Sequence, residues 1–383
     1  MRVLFLSAAN SVHTVRWVNA LTERGCKVVL VSEKNHQAKE EAVSDKVKII
    51  YLPFGGVKGY YLNAPALQHI YKSGKFDVIN VHYASGYGTL ARMAKLPDII
   101  LNVWGSDVYD FPYESQCKKL ILRKNLAYAG KLVSTSYSMV EQTEKFLAKK
   151  RKIAVTPFGV DIKHFKPKKS VKTNKEDRFV FGIVKTLSPK YGVATVIKAF
   201  KVFVQQLPQE KKEKVRLEIY GKGELLDNLK VLAAKYHMEN QIFFGGYVEN
   251  RVIPSLLNQM DVFILGSKNE SFGVAAVEAM ACELPVVATS VSGFKEVIED
   301  GKTGFLVPVG DYKEMAEKMF ILYDNARLRE SMGKEGRKRV EKLYHWEKNV
   351  DEMMKVYKEK RKYEFLPEFK EKNKSGGSLF FRQ

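Results

Sequence analysis

Two glutamates eight residues apart stand where a strand pattern changes into a helical one. Glu270 follows the apolar run at 261–265, and Glu278 lies inside the helical pattern that begins near Phe272. Eight residues span at most about 12 Å along a helix, a reach that suits two carboxylates holding different parts of one sugar nucleotide. The free N–H groups at a helix start favour an anion, and Gly273 allows it to approach closely. Two arbitrary glutamates would more often be a helix cap and a surface charge, so the surrounding residues must decide.

Short apolar runs alternate with helical patterns through the first 165 residues. Buried strands are predicted at residues 2–7, 27–32, 47–52, 77–82, 99–104 and 131–135. Helical patterns at residues 12–24, 86–94, 115–128 and 137–150 lie between some of these strands. This alternation predicts a parallel sheet with helices on both faces.

A second series of the same kind follows a lysine-rich break at residues 166–175. Its strands are predicted at residues 179–185, 215–220, 241–245, 261–265, 285–289 and 304–307. We therefore predict an α/β protein with two doubly wound, Rossmann-like domains, residues 1–168 and 169–345. A C-terminal helix at about 346–368 is expected to pack back on the first domain, and residues 370–383 to be poorly ordered. Because open α/β sheets bind ligands at the carboxyl ends of their strands, the two domains are expected to face each other across a ligand-binding cleft.

Length and composition set the broad class of the protein. A chain of 383 residues, 45% hydrophobic and 28% charged, is too long for one hydrophobic core. It has no run of 18 apolar residues and a poor match to a signal peptide, so we expect a cytoplasmic protein. The three cysteines have no spacing typical of a zinc site or a disulfide framework. The net charge of +21 predicts an anionic partner such as a nucleotide, nucleic acid or anionic membrane.

An ordered set of motifs indicates a family. The run at 270–273 (ESFG), followed by 278–281 (EAMA), resembles glycosyltransferase family 4. The resemblance continues at 285–289 (PVVAT), at 301–308 (GKTGFLVP) and, in an interdomain segment, at 157–161 (PFGVD). It covers nearly the whole chain and is strongest from 155 to 310. Each motif alone would be weak, but the ordered set is highly specific.

The resemblance implies a GT-B fold and a retaining transfer of a sugar from a nucleotide donor, such as a UDP- or GDP-sugar. No metal and no cofactor are expected. The resemblance also implies that Glu270 contacts the donor sugar and that Glu278 holds the ribose hydroxyls. The backbone after Glu270 is expected to approach the sugar and the phosphates. The other residues expected at the donor site are Ser271, Phe272, Gly273, Val274 and Gly221.

Two lysines are expected to do the work of a metal. Lys185 and Lys190 follow the strand at 179–185, at the spacing where the family has an Arg or Lys and then a Lys. Two fixed cations at a strand end stabilise the charge that grows on a leaving diphosphate. In a chain with 64 Lys and Arg, two lysines alone would be surface charges, so the assignment depends on position and motif. The chain also has no Asp-x-Asp triplet.

The first domain departs further from the family pattern. Many members have a glycine pair after the first strand, where this chain has none; Asn10 and His13 are expected to begin the first helix and face the cleft, with an ordinary helix cap as the alternative. Trp104 stands where many members have a histidine near the reacting sugar, so no catalytic histidine is carried over. We expect Trp104 to stack against a sugar and Asp107 to orient a hydroxyl in the reaction. The alternative is a core Trp104 and an Asp107 that caps a helix. The segment 82–86 (HYASG), which begins with His82 at the end of another strand, is also expected to face the cleft.

Two further glutamates are interpreted as structural. Glu283 stands where the family commonly has a glycine, so a left-handed backbone there would cost roughly 1 kcal/mol or more. Glu296 belongs to a Gly-x-x-Glu match that begins at Gly293. We expect the first to alter a turn and the second to hold structure.

Other classes of protein fit these residues less well. A nicotinamide dehydrogenase would use a glycine-rich loop, but the best candidate, 221–226 (GKGELL), lacks the third glycine and falls in the second domain. A solute-binding protein would need an export signal, and a glycosidase would place its acids across one bond. No nucleic-acid-binding module is recognised, so no nucleic-acid partner is expected. A GT-B-type sugar-nucleotide epimerase and a transferase with a soluble small-molecule acceptor remain as alternatives.

The charge and aromatic content favour a lipid-linked saccharide as acceptor, in the synthesis of a cell-surface polysaccharide. The helical pattern at 115–128 interleaves four cations with the apolar run 120–122, and the predicted loop 58–62 (KGYYL) adds aromatic residues. These cations are Lys118, Lys119, Arg123 and Lys124. Such a surface suits peripheral binding to an anionic membrane, at its inner face. The alternative is that the apolar residues are core and the lysines are merely solvated.

Overall fold

Two parallel sheets organise the computed structural model, which describes residues 1–38, 43–168 and 178–359. The first sheet has the strand order β3-β2-β1-β4-β5-β6-β7. Its strands are β1 (Arg2–Leu6), β2 (Lys27–Glu33), β3 (Lys48–Leu52), β4 (Val78–His82), β5 (Ile100–Val103), β6 (Lys131–Ser134) and β7 (Ile153–Val155). The six predicted strands are confirmed. The seventh, β7, was not predicted because three half-buried residues are too few to show a pattern.

Seven helices connect these strands within the described residues. They are α1 (Val12–Glu23), α2 (Gly56–Leu62), α3 (Ala64–Ser73), α4 (Gly86–Met93), α5 (Ser106–Tyr109), α6 (Gln116–Tyr128) and α7 (Tyr137–Glu144). Two predictions need correction. The segment 58–62, predicted as a loop, is part of α2, and the helix predicted at 137–150 ends at Glu144. The short α2 has no polar N-cap, so its sequence carries no helix-start signal.

The second sheet has the order β10-β9-β8-β11-β12-β13. Its strands are β8 (Phe179–Val184), β9 (Val215–Tyr220), β10 (Ile242–Gly246), β11 (Val262–Leu265), β12 (Val286–Thr289) and β13 (Gly304–Val307). All are parallel, and the six predicted strands are confirmed. Their helices are α8 (Val193–Gln205), α9 (Gln209–Lys212), α10 (Leu226–Lys235), α11 (Ile253–Leu257), α12 (Val274–Ala281), α13 (Ser292–Val297), α14 (Tyr312–Asp324) and α15 (Ala326–Leu343).

Each sheet reverses its strand order once. The reversal falls between β1 and β4 in the first sheet and between β8 and β11 in the second. At such a point the loops that follow the two strands run to opposite sides of the sheet and leave a crevice between them. The residues that follow these four strands are therefore the ones that the fold places at a ligand site.

The last described helix, α16 (Trp346–Lys358), returns to the first domain. The rings of Trp346 and Trp17 meet edge to face, with 4.8 Å between centroids. Arg24 forms ion pairs with Glu347 and Asp351, at 2.7 and 2.8 Å. The predicted tail at 370–383 and most of the predicted linker at 166–175 lie outside the described residues. Within the described ranges, no helix combines the length and apolar character needed to span a bilayer.

Candidate active site

A cavity opens between the two sheets, at the carboxyl ends of the four strands that flank the reversals. Its second-domain wall contains Lys185, which follows β8, and Glu270, which follows β11. Its first-domain wall contains His13, which lies beyond β1, and Tyr83, which follows β4. The cavity therefore lies at the position that the strand order dictates for both domains. Its remaining lining residues are Ser11, Trp104, Phe158, Tyr191, Ser271, Phe272, Gly273 and Val274.

Lys185 and Glu270 form an ion pair in this cavity. The Nζ atom of Lys185 lies 2.7 Å from Oε2 of Glu270, and both side chains are more than four-fifths buried. The same ammonium lies 4.3 Å from the centroid of the Tyr191 ring, which orients it from a second side. A cation and a carboxylate fixed side by side can hold a phosphate and a sugar hydroxyl of one ligand.

Gly221 shapes this wall without lining it. A Cβ atom at Gly221 would lie 1.9 Å from the backbone oxygen of Lys185, and the φ angle of Gly221 is +146°. Only glycine lets the end of β9 approach the end of β8 so closely. The structure thus places Gly221, which was expected at the donor site, behind Lys185.

The start of α12 forms the floor between the ion pair and the first domain. Gly273 is the N-cap, with a left-handed φ of 104°. Phe272, Gly273 and Val274 line the cavity, and the Phe272 ring is also buried in the core beneath it. The first amides of a helix have no partner inside the helix and attract anions. The start of α12 therefore exposes its backbone to the cavity, and its approach to the donor sugar and phosphates stays a prediction.

Glu278 lies one turn further along α12, outside the lining of the cavity. Its carboxylate forms no hydrogen bond with any residue that the structure describes. Burial raises the pKa of its carboxyl to about 7, although the nearby Arg16 and Lys185 act in the opposite direction. Arg16, from α1, packs over the Trp346 ring at 4.2 Å. The sequence analysis missed Arg16, because nothing in a helix pattern shows that it meets the other domain.

Aromatic rings make up most of the first-domain wall. His13 stacks on Phe158, with 4.1 Å between ring centroids. Burial, together with the charge of Arg16, lowers the pKa of His13 to about 4, so the imidazole is neutral at pH 7. Trp104 is 8% exposed and meets both rings edge to face. It therefore belongs to the core and to the cavity wall at once. Asn10 is exposed in the turn before α1.

Two predictions for the first domain are wrong. His82 does not face the cleft, because its side chain is 0% exposed and lies under Trp104, hydrogen-bonded to Asn80 at 2.9 Å. Asp107 is 1% exposed, and its carboxylate accepts hydrogen bonds of 2.8 Å from the amides of Ala84 and Gly105. Asp107 is thus a structural acid at the start of α5, the alternative that the sequence left open. It positions the loops after β4 and β5 and does not reach the cavity.

Tyr83 lines the cavity and belongs to the segment 82–86 that was expected to face the cleft, although it was not singled out as a site residue. Its backbone has a φ of 72°, which is rare outside glycine and costs of order 1–3 kcal/mol. Its hydroxyl lies 3.2 Å from the Ser106 hydroxyl, and its ring meets Trp104. The sequence signal was its position directly after the predicted strand at 77–82.

Contacts between the domains hold the two walls together. Lys190 lies outside the cavity lining and forms an ion pair with Asp110 of the first domain at 3.2 Å. The Ser136 hydroxyl donates to the backbone oxygen of Ser271 at 2.9 Å. Glu296 accepts hydrogen bonds from the first residues of α7, which agrees with the structural role expected for it.

The backbone at Glu283 has the conformation expected from the sequence. Its φ is 61°, in the left-handed region. The backbone oxygen of Glu283 also packs closely against Gly333 of α15, where a Cβ atom would lie 2.0 Å away. The unusual glutamate therefore sits in a turn under α15, away from the cavity.

Family models match most of the chain. The model described as "Glycosyl transferases group 1" matches residues 165–339, and the model described as "Glycosyl transferase 4-like" matches residues 2–136. The N-acetyl-alpha-D-glucosaminyl L-malate synthase of Bacillus anthracis is 26% identical over 305 residues, 77% of each chain. An Escherichia coli enzyme named UDP-Gal:alpha-D-GlcNAc-diphosphoundecaprenol alpha-1,3-galactosyltransferase is 25% identical over 314 residues, 76% of this chain and 78% of its own. The capsular polysaccharide biosynthesis glycosyltransferase CapM of Staphylococcus aureus is 32% identical over 221 residues, 55% of this chain and 56% of its own.

Solved structures share the fold. Sucrose-phosphate synthase from Thermosynechococcus elongatus has a TM-score of 0.79 at 18% identity, over 94% of this chain and 98% of its own. HepE of Anabaena, in complex with UDP and glucose, has a TM-score of 0.77 at 18% identity, over 94% of this chain and 99% of its own. At such identities the likeness shows the architecture, two Rossmann-like domains of the GT-B type. The two family models, which together match most of the chain, show that it belongs to the group 1, family 4 glycosyltransferases.

Proposed function

We propose that this glycosyltransferase is a retaining enzyme that moves a sugar from a nucleoside diphosphate donor without a metal ion. One observation carries the proposal: the Lys185–Glu270 ion pair lies beside the start of α12, in the cavity between the domains. Glu270 would accept hydrogen bonds from the donor sugar. Lys185 and the amides of α12 would balance the charge that develops on the leaving diphosphate.

The remaining donor contacts follow from the same arrangement. Glu278 would accept hydrogen bonds from the ribose hydroxyls. Its pKa is raised because the positive charges of Arg16 and Lys185 do not fully offset the effect of burial on the carboxylate. Lys190 would reach the diphosphate by exchanging its partner Asp110 for phosphate oxygens. His13 and Trp104 would then form the acceptor side of the cavity.

Binding and turnover of the donor test this proposal. A thermal-shift panel of UDP-, GDP- and ADP-sugars should give one clear stabilising donor, because a ligand at 100 times its Kd stabilises by about 2.7 kcal/mol. That donor should release free nucleotide rapidly only when an acceptor is added. The anomeric configuration of the product, read by NMR, distinguishes retention from inversion. A donor panel without any shift would contradict the donor site.

For the acceptor we propose a lipid-linked saccharide, used at an anionic membrane surface in polysaccharide synthesis. The E. coli relative is named for a diphosphoundecaprenol-linked acceptor and the S. aureus relative for capsular polysaccharide. The exposed cations of α6 lie on the same domain as the acceptor side of the cavity. A soluble acceptor is the second candidate, because the B. anthracis relative is named for L-malate.

A further inference from the structure

A second cavity lies in the first domain, next to the cavity that contains Lys185 and Glu270, which we call the donor cavity. Its volume is about 540 Å³, and residues of α2, α4 and α6 form its walls. Ser11 and Tyr83 line both cavities, so the two spaces meet at these side chains. We refer to this second space as the tyrosine pocket, because Tyr60, Tyr61, Tyr83 and Tyr87 line it.

Four aromatic rings form much of the wall of the tyrosine pocket, and two of their hydroxyls are engaged by other side chains. The Tyr87 hydroxyl is engaged by the Ser32 hydroxyl at 3.2 Å and by His36 at 2.9 Å. The Tyr83 hydroxyl contacts Ser106. Since a saccharide needs many hydrogen bonds in a buried site, a wall made of aromatic rings, two of whose hydroxyls are already engaged, favours an apolar ligand.

The mouth of the pocket lies at α2, whose outer face is apolar. Val57 and Tyr61 line the pocket and are nevertheless 77% and 41% exposed. Phe54 and Leu62, beside them, are 48% and 53% exposed. Val57 and Tyr61 are four residues apart in α2 and therefore lie on one side of the helix. Such a rim suits an opening toward lipid rather than toward water.

One cation of α6 stands at the wall of the pocket. Lys118 lines it, pairs with Glu114, and lies 5.5 Å from the ring centroid of Phe111, another lining residue. The apolar Ile121, about one turn further along α6, lines the pocket on the same face of the helix. The pocket thus combines an apolar interior with a single ammonium group, which suits an apolar chain that carries a phosphate.

We infer that the tyrosine pocket binds the phosphate-proximal part of the apolar chain of a lipid-linked acceptor. The chain enters at α2, its phosphate lies beside Lys118, and its saccharide passes Ser11 and Tyr83 into the donor cavity. This inference rests on the proposed function and adds to it the place and chemistry of acceptor binding. It also explains why the aromatic residues of 58–62 differ in exposure, with Tyr60 turned into the pocket and Tyr61 at its rim.

Calorimetric titration tests the pocket without knowledge of the saccharide. The full chain, saturated with the nucleotide that gives the largest thermal shift, is titrated with farnesyl diphosphate, oleoyl lysophosphatidate, inorganic diphosphate and maltose. We expect binding of at least one lipid phosphate, with the two probes distinguishing an isoprenoid from an acyl chain. Inorganic diphosphate and maltose should not bind. Equal binding of inorganic diphosphate, or preferential binding of maltose, would overturn the inference.

Variants locate the binding. Ile121→Trp fills the pocket and should weaken binding of the lipid phosphate at least ten-fold. Val231→Trp, on the exposed face of α10, should leave that affinity unchanged. Lys118→Gln should weaken binding of the lipid phosphate about ten-fold, which corresponds to about 1.4 kcal/mol. Lys230→Gln, the matched control on α10, should leave this affinity unchanged. An unaltered affinity in Ile121→Trp would place the lipid elsewhere.

The thermal shift by the nucleotide separates this inference from the proposed function. It should be the same in Ile121→Trp as in the parent protein, which also shows that the variant is folded. If the nucleotide binds normally and no lipid phosphate does, the pocket assignment fails and the donor site stands. If no sugar nucleotide binds to the parent protein, the proposed function itself fails.

Discussion

The carboxylate of Glu296 in the second domain accepts two hydrogen bonds of 2.9 Å from Ser138 in the first, one from its amide and one from its hydroxyl. The amide of Tyr137 donates a third, at 3.0 Å. These amides begin α7, so a glutamate of one domain caps a helix of the other and lies at its positive end. Gly293, on the same short helix as Glu296, donates to the backbone oxygen of Glu270 at 3.0 Å. The contact therefore connects the loop of the ion-paired glutamate to the first domain.

Removal of this interdomain cap should lower the stability of the protein and disturb the alignment of the donor site with the acceptor side of the cavity. We expect Glu296→Ala to lower the free energy of unfolding by about 1–2 kcal/mol, the usual value of a helix cap. Transfer should fall further than donor affinity, because the donor site lies within one domain and the acceptor side in the other. Urea denaturation and steady-state kinetics measure both effects. Glu317→Ala, at an exposed position of α14, is the control, and equal stability of the two variants would refute the capping role.

The two glutamates of the donor motif should each be needed for transfer. Glu270→Ala removes the partner of Lys185, and Glu278→Ala removes a buried carboxyl close to it. Loss of a charged multidentate contact costs ~2–4 kcal/mol, or roughly 30- to 1,000-fold in rate. Initial rates of nucleotide release with donor and acceptor provide the measurement. Circular dichroism should show both variants folded.

A matched control separates the motif from general charge effects. Glu239→Ala changes the net charge equally at an exposed site that faces neither cavity. We expect its rate to equal that of the parent protein. Near-normal turnover in both motif variants would show that Glu270 and Glu278 do not contact the donor.

Transfer should be insensitive to chelators. Lys185 is fixed by Glu270 and by the Tyr191 ring, at the wall where the diphosphate is proposed to lie. A fixed ammonium supplies the charge stabilisation that a divalent cation provides in other enzymes. The rate with excess EDTA should therefore equal the rate with magnesium, and Lys185→Ala should lose activity that magnesium does not restore. A rate that EDTA abolishes and magnesium or manganese recovers would contradict the proposal.

The sequence predicted the second domain better than the first, for physical reasons. Lys185 and Glu270 follow apolar strands inside motifs, so their position at a sheet edge could be inferred before their strands were known to be neighbours. His82 also ends a strand, but which face a strand-terminal side chain takes depends on the helices that cover it. Asp107 could be a cap or a catalytic acid, and only the amides of Ala84, Trp104 and Gly105, which donate to its carboxylate, decide between them. Contacts such as Lys190 with Asp110 depend on how the domains meet, which no local pattern encodes.

A buried carboxyl beneath α2 should make stability depend on pH. Glu33 is fully buried, and burial raises its pKa to about 7, although the Gly56 amide donates to it at 3.1 Å. Because the folded-state pKa lies above the unfolded value, the protonated form stabilises the fold. That stability is fully present below pH 4.5 and is lost as the pH rises through about 7.

Replacement of this carboxyl by an amide should remove its contribution. Glu33→Gln should match the parent protein near pH 4.5 and exceed its stability at pH 8, by about 3 kcal/mol. The difference between the two thermal midpoints, measured from pH 4.5 to 8, isolates Glu33 from Glu278, whose pKa is raised in the same direction. A difference that does not vary with pH would show that Glu33 is ionised in the folded protein.

The outer surface of α2 and α6 should bind anionic membranes in a salt-sensitive way. The sequence left open whether the apolar residues 120–122 belong to the core. In the structure Leu122 is buried in the core, while Leu120 is 52% exposed among the cations of α6. The exposed apolar residues of α2 lie on the same domain. Each Lys or Arg near an anionic surface contributes about 1 kcal/mol, and exposed apolar side chains add to it.

Co-sedimentation with vesicles measures this binding. We expect the protein to pellet with phosphatidylserine-containing vesicles at low salt and to be released at high salt. Replacement of Lys119, Arg123 and Lys124 by glutamate should weaken binding at least ten-fold, because three attractions become repulsions. The matched control replaces Lys230 and Lys235 of α10 by glutamate and should still bind. If the parent protein stays in the supernatant at low salt, the positive charge of α6 has no role at a membrane, and an acceptor free in solution becomes the better proposal.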